Sequence, residues 1–191
     1  MTVGTVDITE RQLTVEEWLE FEKQAEVRHE YHYGKLIPKA GEAKKANRIS
    51  KTLVKLMDDH LLERGYEAFY LDVKAEVLPN GIYRYPDMVV APVSDAEDEY
   101  IVKQPVMLVE VASEDSSYRD RVKKRKEYFK IPSLRYYLII SQDEVWIELH
   151  MKMDDGNWTT RYYTELEDVM ELELFDLRLS VSAIYKRAKT Q

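Results

Sequence analysis

The 191-residue chain carries 36 acidic and 28 basic residues, a formal charge of −8, and a total of that sign argues against a nucleic-acid partner unless local patches oppose it. It has no cysteine, which excludes disulfides, thiolate zinc sites, iron–sulfur clusters and a cysteine nucleophile. Hydrophobic residues at 45% and charged residues at 34% are globular proportions, so one domain over residues 1–191 is expected. No uncharged apolar run approaches the ~20 residues of a membrane span, and residues 1–13 hold no apolar signal segment. A cytoplasmic protein with no membrane partner is the expectation.

Thr14 is a candidate N-cap, with Glu16 and Glu17 in the first turn. Trp18, Phe21 and Ala25 recur at helical spacing and predict a helix running towards His29. Tyr33-Gly34-Lys35 turns the chain into a short strand, Leu36-Ile37, stopped by Pro38. A second helix is predicted over 44–63, its apolar face made by Ile49, Leu53, Leu56, Met57, His60 and Leu61, with Gly65 at its end. Strands follow over 68–78 and 83–91, joined by the turn Pro79-Asn80-Gly81, with Pro86 at an edge or bulge. Beyond an acidic loop at 95–99, residues 106–112 read as a buried strand and 119–130 as a helix closed by Ile131-Pro132. Strands at 135–140, 145–151 and 158–163 and a short helix at 181–188 complete the pattern. Six acids and no base between 165 and 176 read as solvated surface. The fold class is mixed α/β, with helices packed on one central sheet.

Two acids interrupt apolar strands: Glu110 within Val106-Met107-Leu108-Val109-Glu110-Val111-Ala112, and Asp87 before Met88-Val89-Val90-Ala91. A carboxylate so placed is costly unless it faces solvent, pairs with a base or binds metal. Two of them on neighbouring strands come within shared reach of a divalent cation, and hard oxygen ligands suit magnesium or manganese. The following helix, 119–130, holds seven bases against two acids, a local +5 in a −8 chain. It is either a solvated face or a means of bringing lysine to the carboxylates and bases to a polyanion. Metal-binding acids beside a lysine suit phosphodiester hydrolysis.

At these residues the chain resembles the Uma2-like group of the PD-(D/E)XK nuclease superfamily, over residues 14–188. The resemblance rests on Glu30-Tyr31, Gly34-Lys35-Leu36-Ile37, Asp72 and Tyr85-Pro86-Asp87. It continues through Leu108-Val109-Glu110-Val111-Ala112-Ser113, Asp120-Arg121 with Lys124 and Tyr128, Ile131-Pro132-Ser133 and Tyr137-Leu138-Ile139-Ile140. It implies a restriction-endonuclease-like core, a central mixed β-sheet flanked by α-helices, and a Mg²⁺- or Mn²⁺-dependent endonuclease acting on DNA. Asp87, Glu110 and the Val111 carbonyl would hold the metal. Lys124 would replace the superfamily lysine, whose usual place, two residues after the acid, is Ala112 here. Glu30, on the first helix, would complete the acidic cluster and orient a water. Asp72 and Asp120 would support the site, Asp120 by positioning Lys124 or Arg121.

Arg121, Lys123 and Lys126 are the bases expected to contact nucleic acid, and a homodimer is expected because cutting two strands needs two sites. Many relatives carry His-Asn at the start of the second helix where this chain has Ala46-Asn47, so a catalytically inactive module binding nucleic acid or protein is the alternative. His29 and His32 have a spacing that could seat a metal, but with only His60 and His150 besides them a zinc site is disfavoured.

Overall fold

The computed structural model describes residues 12–39, 41–93, 98–113 and 118–188. In chain order, helix α1 (Val15–Glu22) precedes strands β1 (His29–His32) and β2 (Lys35–Pro38), and helix α2 (Lys44–Leu62) follows. Five strands come next: β3 (Tyr66–Tyr70), β4 (Lys74–Leu78), β5 (Ile82–Arg84), β6 (Met88–Pro92) and β7 (Ile101–Val102). Strand β8 (Met107–Ala112) leads into helix α3 (Tyr118–Tyr128) and then β9 (Tyr136–Ser141), β10 (Ile147–Lys152) and β11 (Trp158–Tyr163). The hairpin β12 (Val169–Leu172) and β13 (Leu177–Ser180), linked by the 3-10 turn Glu173–Phe175, ends in helix α4 (Val181–Tyr185).

The central sheet has six strands in the order β11-β10-β9-β8-β6-β3. Only β8 and β9 run parallel, with α3 between them in sequence, so the sheet is mixed, as expected. Its middle strands read as unbroken apolar runs because both faces are covered. Met88, Val90, Met107, Val109, Leu138 and Ile140 pack on one side with Ile49, Leu53, Met57 and Leu61 of α2. Their alternate neighbours, Val89, Ala91, Leu108, Ala112, Tyr137 and Ile139, pack on the other with Tyr128 of α3 and with Ala75, Val77 and Ile82. That second side is where a five-stranded sheet, β2-β1-β5-β4-β7, joins the core. Trp18 of α1 lies against Tyr31 and Tyr83 of this smaller sheet, each ring centroid 5.3 Å away.

Several sequence expectations change. The first helix stops at Glu22, whose carboxylate accepts the His29 backbone N–H at 3.1 Å and the Tyr85 hydroxyl at 2.9 Å. That fastening turns the chain, and His29 and Glu30 become strand. The expected strands 68–78 and 83–91 each divide between the two sheets. Leu71, at φ +60°, breaks the first. Pro86, which has no N–H for the ladder, separates β5 from β6. Leu56 lies outside the buried stripe of α2 and is 36% exposed. The acidic run 165–176 is not simple surface, since Met170, Leu172 and Phe175 within it are fully buried. Of the acidic loop 95–99, residues 95–97 lie outside the described residues. Among the described residues no helix is long and apolar enough to cross a membrane.

Candidate active site

Asp87 sits between Pro86 and the start of β6, where its own N–H donates to the Val109 carbonyl at 3.0 Å. This anchors it beside β8, and its Oδ2 accepts the Val111 N–H at 2.7 Å. The Lys39 ammonium, just beyond β2, donates to the Tyr85 carbonyl at 3.0 Å and stands 3.4 Å from Asp87 Oδ1. Burial, and next the charge of Glu110, push the Asp87 carboxyl up to about 6, against the opposing pull of Lys39 and the Val111 N–H. The two acids singled out from the sequence therefore lie near enough to repel.

Glu110 points to the α3 side of the central sheet. Lys124 Nζ donates to its Oε2 at 3.0 Å and the Tyr128 hydroxyl to its Oε1 at 2.7 Å. Lys124 and Tyr128 are four residues apart, so one face of α3 presents both. Burial, and then the charge of Glu110, push the Tyr128 hydroxyl well up, which keeps it a donor.

Glu30 lies on β1, not on a helix. Its Oε2 accepts from Nη1 of Arg84, which is 3% exposed. Arg84 also donates to Glu127 Oε2, through Nε at 3.0 Å and Nη2 at 2.6 Å. His32 Nε2 lies 3.2 Å from Glu127 Oε1. Burial opposes the charge on Arg84, but Glu30 and Glu127 outweigh it and the guanidinium is held charged. This chain of pairs ties β1 and β5 to α3, three residues from Lys124.

An open cleft of about 470 Å³ brings together Glu30, Lys39, Asp87, Val111, Lys124 and Gln142. Glu110 joins it through its bond to Lys124. Ala46, where the resemblance led to a histidine, forms part of the same wall. Asp72 is outside this cleft. It lines a neighbouring one of about 400 Å³ that shares Lys39 and Asp87, and pairs with Arg28 at 3.4 Å. Of the α3 bases, Lys123 and Lys126 are exposed, while Arg121 lines a separate depression with Ser141 and Trp146. The side chain of Asp120 lies outside the described residues. His29 bonds to Glu22 and His32 to Glu127, so the two histidines do not act as a pair.

Three residues escaped the sequence reading. Lys39 and Arg84 are ordinary bases in sequence, and their partners lie 43 to 54 positions away. Gln142 follows β9, and its Oε1 is buried without a hydrogen-bond partner. A buried neutral oxygen left unpaired needs a reason. In the cleft that it shares with Asp87, a hard cation would supply one, and oxygen donors of this kind suit magnesium or manganese. Among the described residues no three His, Asp or Glu side chains group closely enough to hold a metal, so a cation would draw on two carboxylates and neutral oxygens.

The sequence profile of Uma2, described as "Putative restriction endonuclease", matches residues 15–182. The "Uncharacterized protein slr1290" of Synechocystis sp. is 31% identical over 175 residues, covering 91% of this chain and 92% of the relative. A second Synechocystis protein, "Uncharacterized protein sll1609", is 33% identical over 161 residues, covering 83% and 89%. The crystal structure of "a putative nuclease belonging to DUF820" from Anabaena variabilis superposes with a TM-score of 0.75 at 20% identity, over 92% of this chain and 99% of that one. The fold expected from the sequence is the fold observed.

Proposed function

The chain belongs to the Uma2 family of restriction-endonuclease-like proteins, and from that premise we propose that it is a divalent-cation-dependent endonuclease hydrolysing DNA phosphodiester bonds. The observation that carries the reading is the cleft in which Asp87, with Glu110 beside it, faces Lys39 and Lys124. Asp87, Glu110, the Val111 carbonyl and Gln142 Oε1 would hold Mg²⁺ or Mn²⁺. When bound, the cation would polarise a phosphoryl oxygen and acidify a water.

The protein's own groups do the rest in this proposal. Lys124 carries its positive charge to the cleft wall, where it stabilises negative charge developing on phosphoryl oxygens. Tyr128 keeps Glu110 oriented from its other oxygen. Lys39 holds Asp87 and offsets part of its charge. Glu30, fixed by Arg84, offers a carboxylate oxygen to a water in the cleft. In this reading residues 1–191 are one cytoplasmic nuclease domain, acting as a homodimer so that two clefts serve two strands. Light scattering tests the dimer.

Supercoiled plasmid incubated with Mg²⁺ or Mn²⁺ tests the activity. Wild type nicks it, chelation stops the reaction, Asp87→Ala abolishes it, and Lys124→Ala slows it by about 10²- to 10³-fold, the usual cost of losing one transition-state charge partner. Wild-type inactivity with both metals, or equal rates in wild type and Asp87→Ala, overturns the proposal. Ala46 in the wall, and the pairing of Glu30 and Glu110 to bases, favour the second reading, a catalytically silent binding module. That reading predicts DNA or protein binding unchanged by Asp87→Ala.

A further inference from the structure

A groove of about 1110 Å³, open to solvent, runs between α2 and α4 rather than through the candidate active site. Arg48, Lys51 and Lys55 of α2 line it, with Lys186 and Arg187 from the end of α4. Lys44, Arg48, Lys51 and Lys55 are four, three and four residues apart, so they stand in one stripe along the helix. All four are exposed. The opposite face of α2 is the buried one, with Ile49, Leu53, Met57 and Leu61 all at 0% exposure. Among the described residues no acid lines the groove. Among the described residues none of these six bases has an ion-pair partner, whereas Lys124 and Arg125 of the more basic α3 are paired with Glu110 and Glu148. An aligned, uncompensated row of positive charge therefore lies on α2 and the end of α4 of this −8 chain.

The groove and the candidate active site share one helix. Ala43 and Ala46, at the start of α2, line the active-site cleft, and the next residue, Asn47, lines the groove. We propose that the α2–α4 groove is the track for the sugar–phosphate backbone of duplex DNA, leading a phosphodiester into the cleft; this deepens, and rests on, the nuclease reading. The stripe from Lys44 to Lys55 rises about 16 Å along the helix, which matches roughly five phosphate steps of a duplex strand at ~3.4 Å each. Among the described residues no aromatic side chain lines the groove. Single-strand binders need such stacking platforms, so the chemistry selects a duplex backbone, read by charge without sequence.

Fluorescence anisotropy with a 20-base-pair duplex in EDTA isolates binding from cleavage. Wild type is compared with Lys51→Gln/Lys55→Gln and with the α3 control Lys123→Gln/Lys126→Gln. The α2 variant loses at least tenfold in affinity, and its slope of log K against log salt falls by about 2, as expected when two phosphate contacts are removed. Thermal unfolding confirms that the variant is folded, since these side chains are exposed. Equal binding by wild type and the α2 variant overturns the track. So does loss confined to the α3 control, tighter binding of single strands than of duplex, or capture by phosphatidylserine vesicles without duplex binding. Plasmid cutting separates the two readings. Loss of binding in the α2 variant, with no cutting by wild type, leaves the track standing and removes the nuclease. Cutting by wild type, with binding unaffected by the α2 changes, does the reverse.

Discussion

Asp87 is ionised at neutral pH against its surroundings. Its carboxyl stands at about 6 where 3.8 is ordinary, so the folded state holds a proton more tightly than the unfolded chain. Ionising Asp87 therefore costs no stability below about pH 4; the cost builds as pH rises towards 6 and is then constant. Asp87→Asn, which keeps an oxygen for the Val111 N–H, should raise the stability of the metal-free protein at pH 7.5 by on the order of 2 kcal/mol and leave it unchanged at pH 4. Thermal unfolding in EDTA at the two pH values measures this. Arg84 shows the converse. Arg84→Met leaves Glu30 and Glu127 buried without their cation, which should cost about 3–5 kcal/mol in urea unfolding at pH 7. The deficit should shrink in acid, where protonated carboxylates no longer need the guanidinium. Asp87 and Glu110 were legible in the sequence because an acid inside an apolar strand breaks a local rule. Arg84, Lys39 and Gln142 break none; what distinguishes them is partners, or the lack of one, that only the folded chain supplies.

The β1–β2 hairpin delivers two cleft residues, the buried Glu30 from β1 and Lys39 from just beyond the largely exposed edge strand β2. Its turn depends on Gly34 at φ +86°, where an added Cβ would come 2.8 Å from Gln12 Cβ. Gly34→Ala should therefore cost about 1–2 kcal/mol. Gly41→Ala, where the new atom meets nothing within 4 Å, should be nearly silent in the same thermal-shift measurement. Central strands and long helices were readable because burial on both faces, or on one stripe, writes a period into the residues. The passages between sheets were not. Tyr66–Tyr70 and Lys74–Leu78 share β-prone composition, and composition carries no sign that Leu71 turns left-handed and sends them to different sheets. The helix stop at Glu22 was equally hidden, because what fastens it is a bond to Tyr85, 63 residues away.

At the scale of the whole molecule, the charge of −8 is an average over unlike surfaces. The bases of α3 looked the most nucleic-acid-like in sequence, yet Lys124 and Arg125 among them are paired to acids in the fold. The more dilute bases of α2 gain their alignment only from a helix whose other side is anchored in the core. Counting charge along a chain finds density; finding an uncompensated row requires knowing which acids sit beside it. The central sheet, covered on both faces, imposes one more constraint. Along β8, Met107 and Val109 face α2 while Leu108 and Glu110 face α3. Inserting or deleting a single residue between 107 and 110 would exchange those faces. Glu110 would then turn into the apolar layer under α2 and a valine would face Lys124. Substitutions in this strand can be accommodated one at a time, but its length has to be inherited unchanged.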